Sequence, residues 1–195
     1  MLLVRGLPWR HLVAFALLFA VLVPSVVWPN LEPHQRTRLV SFMNPAADPQ
    51  GSGYQVIQST IAIGSGGLVG KGYGQGTQSQ LGFIPFRHTD FIFPVLAEEG
   101  GFLAAILLLL LYGLLFWRLI DMASECIYDR DQLIIIGVLV FVAFQVLVNI
   151  GVTLGLAPVT GITLPLVSYG GTSLISTLAA LALAFVVHRD RYADW

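Results

Sequence analysis

Between Gln132 and Val187 the chain carries no aspartate, glutamate, lysine or arginine. A water-facing element needs charged side chains along one face, and a stretch of this length has none to offer. Two prolines and a glycine in PVTGITLP, residues 158–165, oppose a continuing helix and divide the stretch in two. Each part is then about the roughly 20 apolar residues needed to cross a bilayer. Two more runs have the same character. The candidate spans are 12–28, 91–117, 133–154 and 166–187. Composition agrees: 56% of residues are hydrophobic and 11% charged, against roughly 25% charged in a soluble domain. The expected class is an all-α integral membrane protein. A net charge of −1 gives no footprint for nucleic acid, and the single cysteine, Cys126, cannot form an internal disulfide.

The first run follows Arg5 and Arg10, as the core of a signal peptide would. VVWPNLEP offers no small-x-small cleavage site, so the run is read as an uncleaved span. Arg118 and Arg130 bracket the loop between the second and third spans, and Arg189 and Arg191 follow the fourth. Placing these with Arg5 and Arg10 on the cytoplasmic side puts the short 155–165 loop outside. The long segment 30–90 is then outside as well, where its four cations count little because long loops escape the rule.

Sixty residues are too many for a plain connector. YQVIQSTIAIGSGGL places Val56, Ile57, Ile61 and Ile63 at a spacing that suits a short amphipathic helix near the membrane. GSGGLVGKGYGQGTQSQ follows. It matches neither G-x-G-x-x-G nor a Walker A loop. Its glycines permit close backbone approach, either to a ligand phosphate met by Lys71 or to packed helices. Arg36 and Arg38 have a similar pair of readings: contacts to lipid head groups, or a clamp on pyrophosphate oxygens.

RHTDFIFPVLAEEGG, residues 87–101, sets an arginine, a histidine and three carboxylates against an uncharged run. Thr89 or Asp90 would serve as the N-cap of the second span, or Asp90 as a chemical group. Glu98 and Glu99 stand at the edge of a span, where carboxylates are functional candidates. Asn149 and Gln145 share a helix face and read as hydrogen-bonding glue between helices. Ser168, Gly170 and Gly171 suit close packing before the fourth span.

Three stretches together carry a resemblance: QRTRLVSFMNPAADPQGSGYQVIQSTIAIGSGGLVGKGYGQGTQSQLGFIP, RHTDFIFPVLAEEGGF and VNIGVTLGLAPVTGITLPLVSYGGTS. In that order and spacing the chain resembles the SEDS family (shape, elongation, division and sporulation), most closely its rod-shape members. The resemblance implies the last four helices of a ten-helix fold, with an N-terminal half lying outside this sequence. It implies a multi-pass protein of the bacterial cytoplasmic membrane that polymerises lipid II into glycan strands on the outer face during elongation. Its implied partners are a class B penicillin-binding protein and other membrane proteins of the elongation complex. By motif position in HTDFIF, the resemblance makes Asp90 the essential aspartate. Arg36, Arg38, Lys71 and Arg87 become candidate phosphate contacts, His88 and Thr89 shape the site, and Glu98 and Glu99 orient the outer loop or a divalent cation (Mg2+ or Mn2+). One departure stands out: some relatives carry an acidic residue where this chain has Gly82. Two rival readings are a lipid II flippase and a non-catalytic membrane scaffold. Transport predicts charges along a path through the spans, whereas the charges here cluster outside them.

The implied chemistry is coherent. A sugar hydroxyl needs a base to take its proton as it attacks. Pyrophosphate leaves as a stable anion and needs positive charge rather than a proton. One carboxylate therefore suffices, unlike the pair used by glycosidases.

Overall fold

The computed structural model describes residues 51–189 and, before them, Val13, Ala14, Leu17, Leu18, Leu22, Asn30, Glu32, Gln35, Arg38, Ser41 and Phe42. Most of the predicted first span, 12–28, and Arg36 lie outside the described residues. Five helices follow in order: α1 Ser52–Ser65, α2 Thr77–Gln80, α3 Ile92–Ser124, α4 Asp129–Thr153 and α5 Gly171–Arg189. No strand occurs among the described residues. The last three are the helices long and apolar enough to cross a membrane.

The ends of these helices follow local chemistry. Pro94 sits in the first turn of α3, where its missing N–H costs nothing. At the other end Arg118 pairs with Asp121 at 2.7 Å. In α4, Asp129 and Asp131 occupy the first turn, and in α5 His188 and Arg189 occupy the last, each of a sign that suits the helix dipole. The fourth predicted span was placed from 166, but helix begins only at Gly171. Leu166 has a φ of 64°, and the Ser168 hydroxyl accepts the Leu164 amide at 2.8 Å. That turn prevents helix from propagating upstream.

Ala105, Tyr112 and Leu119 recur every seven residues along α3 and are buried against Ile135, Val138, Val142 and Val146 of α4 and Leu181 and Ala184 of α5. The opposite faces carry exposed Leu107, Leu110, Leu111, Phe144, Leu147 and Ile175, an apolar exterior suited to lipid. Cys126, in the turn between α3 and α4, bonds the Met122 carbonyl through its Sγ. Burial and the nearby Asp131 push its thiol up, away from reactivity.

The amphipathic helix expected over residues 54–68 is α1, but the protein buries its small residues. Gly53, Ser59 and Ala62 face inward, and the Ser59 hydroxyl donates to the Thr153 carbonyl at 2.6 Å. Ile57 and Ile61 are exposed. This is the packing logic of membrane helices, in which small residues allow close approach and bulky ones turn outward.

The glycine-rich loop after α1 enters the hydrogen-bond ladder of α3. At Gly101 the helix is interrupted, with φ 70° and ψ −167°. The carbonyls of Glu98 and Glu99 accept the amides of Lys71 and Gly72, each at 3.0 Å. The amides of Phe102 and Leu103 donate to the carbonyls of Gly67 and Leu68, at 2.9 and 3.2 Å. These are the groups that an unbroken helix would pair with each other, so the loop replaces two helical bonds with four of its own. Gly70 is required here: a Cβ on it would lie 2.2 Å from the Glu99 carbonyl oxygen, at a φ of +83°. The glycines therefore serve backbone packing against a helix.

Candidate active site

The segment Arg87–Asp90 is fixed through its main chain. Three successive carbonyls are tied to other parts of the chain. The His88 carbonyl accepts the Tyr169 amide at 2.8 Å. That of Thr89 accepts the Ser168 hydroxyl at 2.6 Å. That of Asp90 accepts Nδ2 of Asn149 at 2.8 Å. Phe91 and Ile84 are buried beneath the segment with Ala62 and Val152. The Tyr112 hydroxyl, from within α3, donates to the Pro165 carbonyl of the same 155–170 loop.

The cap reading of Thr89 and Asp90 is overturned. The N-cap position of α3 is Phe91, and no side chain caps the helix. The Thr89 hydroxyl instead reaches the Phe86 carbonyl at 3.2 Å. The Asp90 carboxylate stands half-buried beside Gly161, where a Cβ would lie 3.8 Å from Oδ2. Desolvation raises its pKa, opposed by a hydrogen bond from Thr89 and by the charge of Arg38. Desolvation outweighs both, so this carboxylate is more basic than an ordinary aspartate.

Arg38 is exposed and donates to the Val159 carbonyl at 3.4 Å, which ties it to the same loop as Gly161. Arg87 donates through Nη1 to the Ser79 carbonyl and through Nε to Nε2 of His88 at 3.2 Å. Arg87, His88 and Glu99 line a cleft of about 620 Å³ whose apolar wall includes Ile92, Val95, Leu96, Ala104 and Val167. Asp90 does not line that cleft.

Lys71 lies elsewhere. Its ammonium meets Ser65 Oγ at 2.8 Å, Thr77 Oγ1 at 2.7 Å and Glu98 Oε1 at 2.8 Å, which occupies its three donor positions. Glu98 is fully buried. Besides Lys71, it accepts the Thr77 hydroxyl and the amides of Gln78 and Ser79. It thereby holds α2 in place, and Ser79 of α2 in turn holds Arg87. Glu99 accepts from Gln80 Nε2 at 3.4 Å. Among the described residues no three His, Cys, Asp or Glu side chains come together as metal ligands. Glu98 is already met by four donors.

Sequence reasoning overlooked the main-chain tethers. Ser168 was read as a packing residue, and it bonds directly to the motif. Asn149 was read as glue between helices, and its bonds reach two loops instead, through the Asp90 and Ile162 carbonyls. An asparagine in an otherwise apolar span was the available signal.

Comparison with known proteins adds the context. The family model FTSW_RODA_SPOVE, described as cell cycle protein, matches residues 1–193. The chain is 44% identical over 190 residues to the peptidoglycan glycosyltransferase MrdB of Escherichia coli K12, covering 97% of this chain and 51% of MrdB. It is 45% identical over 163 residues to stage V sporulation protein E of Bacillus subtilis, covering 84% and 44%. Among solved structures, it superposes with a TM-score of 0.79 and 54% identity on a chain of a peptidoglycan synthase complex, studied for structural coordination of polymerization and crosslinking, covering 99% of this chain and 53% of that one. The rod shape determining protein RodA of Thermus thermophilus gives 0.60 and 41%, covering 98% and 46%. The chain thus spans about half the length of the relatives it matches. Its three apolar helices and these relatives make it a multi-pass inner-membrane protein. The helical architecture, the motif order and the match over nearly its whole length agree: the chain belongs to the FtsW/RodA/SpoVE family, the SEDS proteins.

Proposed function

We propose that this chain supplies the catalytic carboxylate and outer loops of a peptidoglycan glycosyltransferase that polymerises lipid II on the extracytoplasmic face. The observation that carries the reading is the contrast within the motif at Asp90. The backbone is held at three successive carbonyls, while desolvation raises the basicity of the carboxylate. The names of the relatives, peptidoglycan glycosyltransferases among them, support the reaction class.

In the proposed step, Asp90 takes the proton of the acceptor sugar hydroxyl as its oxygen bonds to the donor's anomeric carbon. The bond from that carbon to the pyrophosphate oxygen breaks, and the electron pair leaves with the lipid pyrophosphate. Attack from the opposite face inverts an α-linked donor into a β-linked strand. The departing charge is met by cations. Arg38 lies close enough to act on the Asp90 carboxylate, and Arg87 reaches the apolar cleft from three residues upstream. Arg36 belongs to the same proposal and lies outside the described residues. His88 and Thr89 shape the site. Lys71, already bound to Glu98, acts in this scheme through the fold. The synthase complex among the structural relatives supports a cross-linking partner of the class B penicillin-binding type, acting within the elongation complex.

The test is polymerisation of lipid II in membranes carrying this chain, with and without a co-expressed N-terminal half from a relative, for the parent and Asp90→Asn. Loss of polymer in Asp90→Asn alone supports the assignment. Equal polymer from both sinks it.

A further inference from the structure

We infer that Asn149 is a positioning residue that sets the place of the Asp90 carboxylate by holding both the backbone beneath it and the loop beside it. The inference rests on the reading of Asp90 as the base. Asn149 is 1% exposed, on α4. Its single amide nitrogen donates to the Asp90 carbonyl at 2.8 Å and to the Ile162 carbonyl at 2.7 Å. Ile162 follows Gly161, where an added Cβ would lie 3.8 Å from Oδ2 of Asp90. One side chain thus clamps the two pieces of main chain between which the carboxylate stands.

The orientation of this amide is determined by its partners. Turned over, its oxygen would face two carbonyl oxygens, so only the observed arrangement is favourable. Its Oδ1 is buried without a hydrogen-bond partner among the described residues. Leaving a buried acceptor unpaired costs stability. Its neighbours one turn away, Val146 and Val152, are buried and apolar; an aliphatic side chain would avoid that cost but leave the Asp90 and Ile162 carbonyls without this donor. The position is therefore used for its two donors. Ser168 and the Tyr169 amide hold the preceding two carbonyls. With all three fixed, the Asp90 carboxylate moves chiefly by rotation about its own side-chain bonds.

The test follows the protonation of Asp90 directly. The chain is placed in lipid nanodiscs, and the carboxylic-acid C=O band of Asp90, assigned by its loss in Asp90→Asn, is recorded by infrared spectroscopy against pH. Asn149→Leu keeps the branching at Cγ, with somewhat greater volume, and removes both donors. It is expected to lower the Asp90 midpoint, since a released carboxylate turns toward water and loses its desolvation. Asn149→Ala, which removes both donors without adding bulk, is expected to lower it as well, and it carries the test if Asn149→Leu does not fold. Midpoints unmoved or raised in the variants that fold overturn the inference. Where polymerisation is measured with the complementary half, Asn149→Leu is expected to lower kcat about 10- to 100-fold with KM for lipid II unchanged, and Asn149→Gln to fall between. A parent-like Asp90→Asn in that assay removes the base reading, while the infrared midpoint still judges the tether.

Discussion

Two carboxylates eight residues apart have opposite surroundings. Glu98 is fully buried and saturated by an ammonium, a hydroxyl and two backbone amides. Asp90 is half-buried, stands beside the Thr89 hydroxyl and lies within the field of one arginine. Around Glu98 the side chain is held and the fold is built on it. Around Asp90 the main chain is held and the side chain stays available. A carboxylate whose lone pairs are all engaged cannot take a proton from a substrate, whereas one on a fixed backbone with room at its oxygens can. The difference teaches that a conspicuous buried ion pair marks architecture here, while the less satisfied group is the one the proposed function uses.

The sharpest way to break this comparison is Asp90→Asn. Polymerisation with the complementary half is expected to fall by roughly 10²–10⁴-fold, the usual contribution of a general base, with the melting temperature at least that of the parent. A raised native pKa means that the ionised form is disfavoured by folding. That group's contribution to stability is present below its unfolded pKa and lost as pH rises through the folded value. Asp90→Asn should therefore be slightly more stable than the parent at neutral pH, and the advantage should vanish in acid. An equally active Asp90→Asn protein would erase the distinction between the two sites.

Next in size is Gly70→Ala, which tests the architecture alone. The methyl group meets the backbone of α3 at a left-handed φ, so a loss of about 3 kcal/mol is expected, seen as a lower melting temperature in nanodiscs. A parent-like melting temperature would show that the splice between loop and helix yields easily.

Glu98→Gln should cost roughly 2–3 kcal/mol. This is below the figure for a fully buried pair because Lys71 is a quarter exposed. Thermal denaturation measures the loss, and residual activity should fall with the folded fraction. Activity lost at full stability would move Glu98 to the chemical side of the comparison.

The smallest effect is that of Arg38→Met. Removing the positive charge should raise the Asp90 pKa further. The acidic limb of polymerisation, where Asp90 becomes protonated and inactive as a base, should then shift to higher pH. An unmoved limb would separate Arg38 from the carboxylate.

Much of this was legible in the sequence because it depends on composition and local pattern. Apolar runs mark α3, α4 and α5, and the HTDF motif marks the segment that carries Asp90. What stayed hidden depends on contacts between distant residues. Lys71 and Glu98 are 27 positions apart, and nothing local pairs them, so Lys71 read equally well as a phosphate ligand. Asn149 reaches the Asp90 carbonyl across 59 positions. A carbonyl has no residue-specific signature, so a tether to the main chain leaves no pattern at its receiving end. The start of α5 was placed early because Leu166 and Val167 are apolar, while the turn at Leu166 depends on a serine hydroxyl two residues later.

The interruption at Gly101 also works as a depth mark. From Glu99 to Arg118 a helix rises about 28 Å at 1.5 Å per residue, close to the roughly 30 Å of a bilayer's hydrocarbon layer. The broken turn therefore falls near one rim of that layer, where bare peptide groups are costly and where the glycine loop supplies their partners. Residues 92–100 then stand beyond the acyl chains. Under the proposed function, a sugar carried on a polyprenyl tail would meet the Asp90 carboxylate while its tail remains dissolved in the membrane.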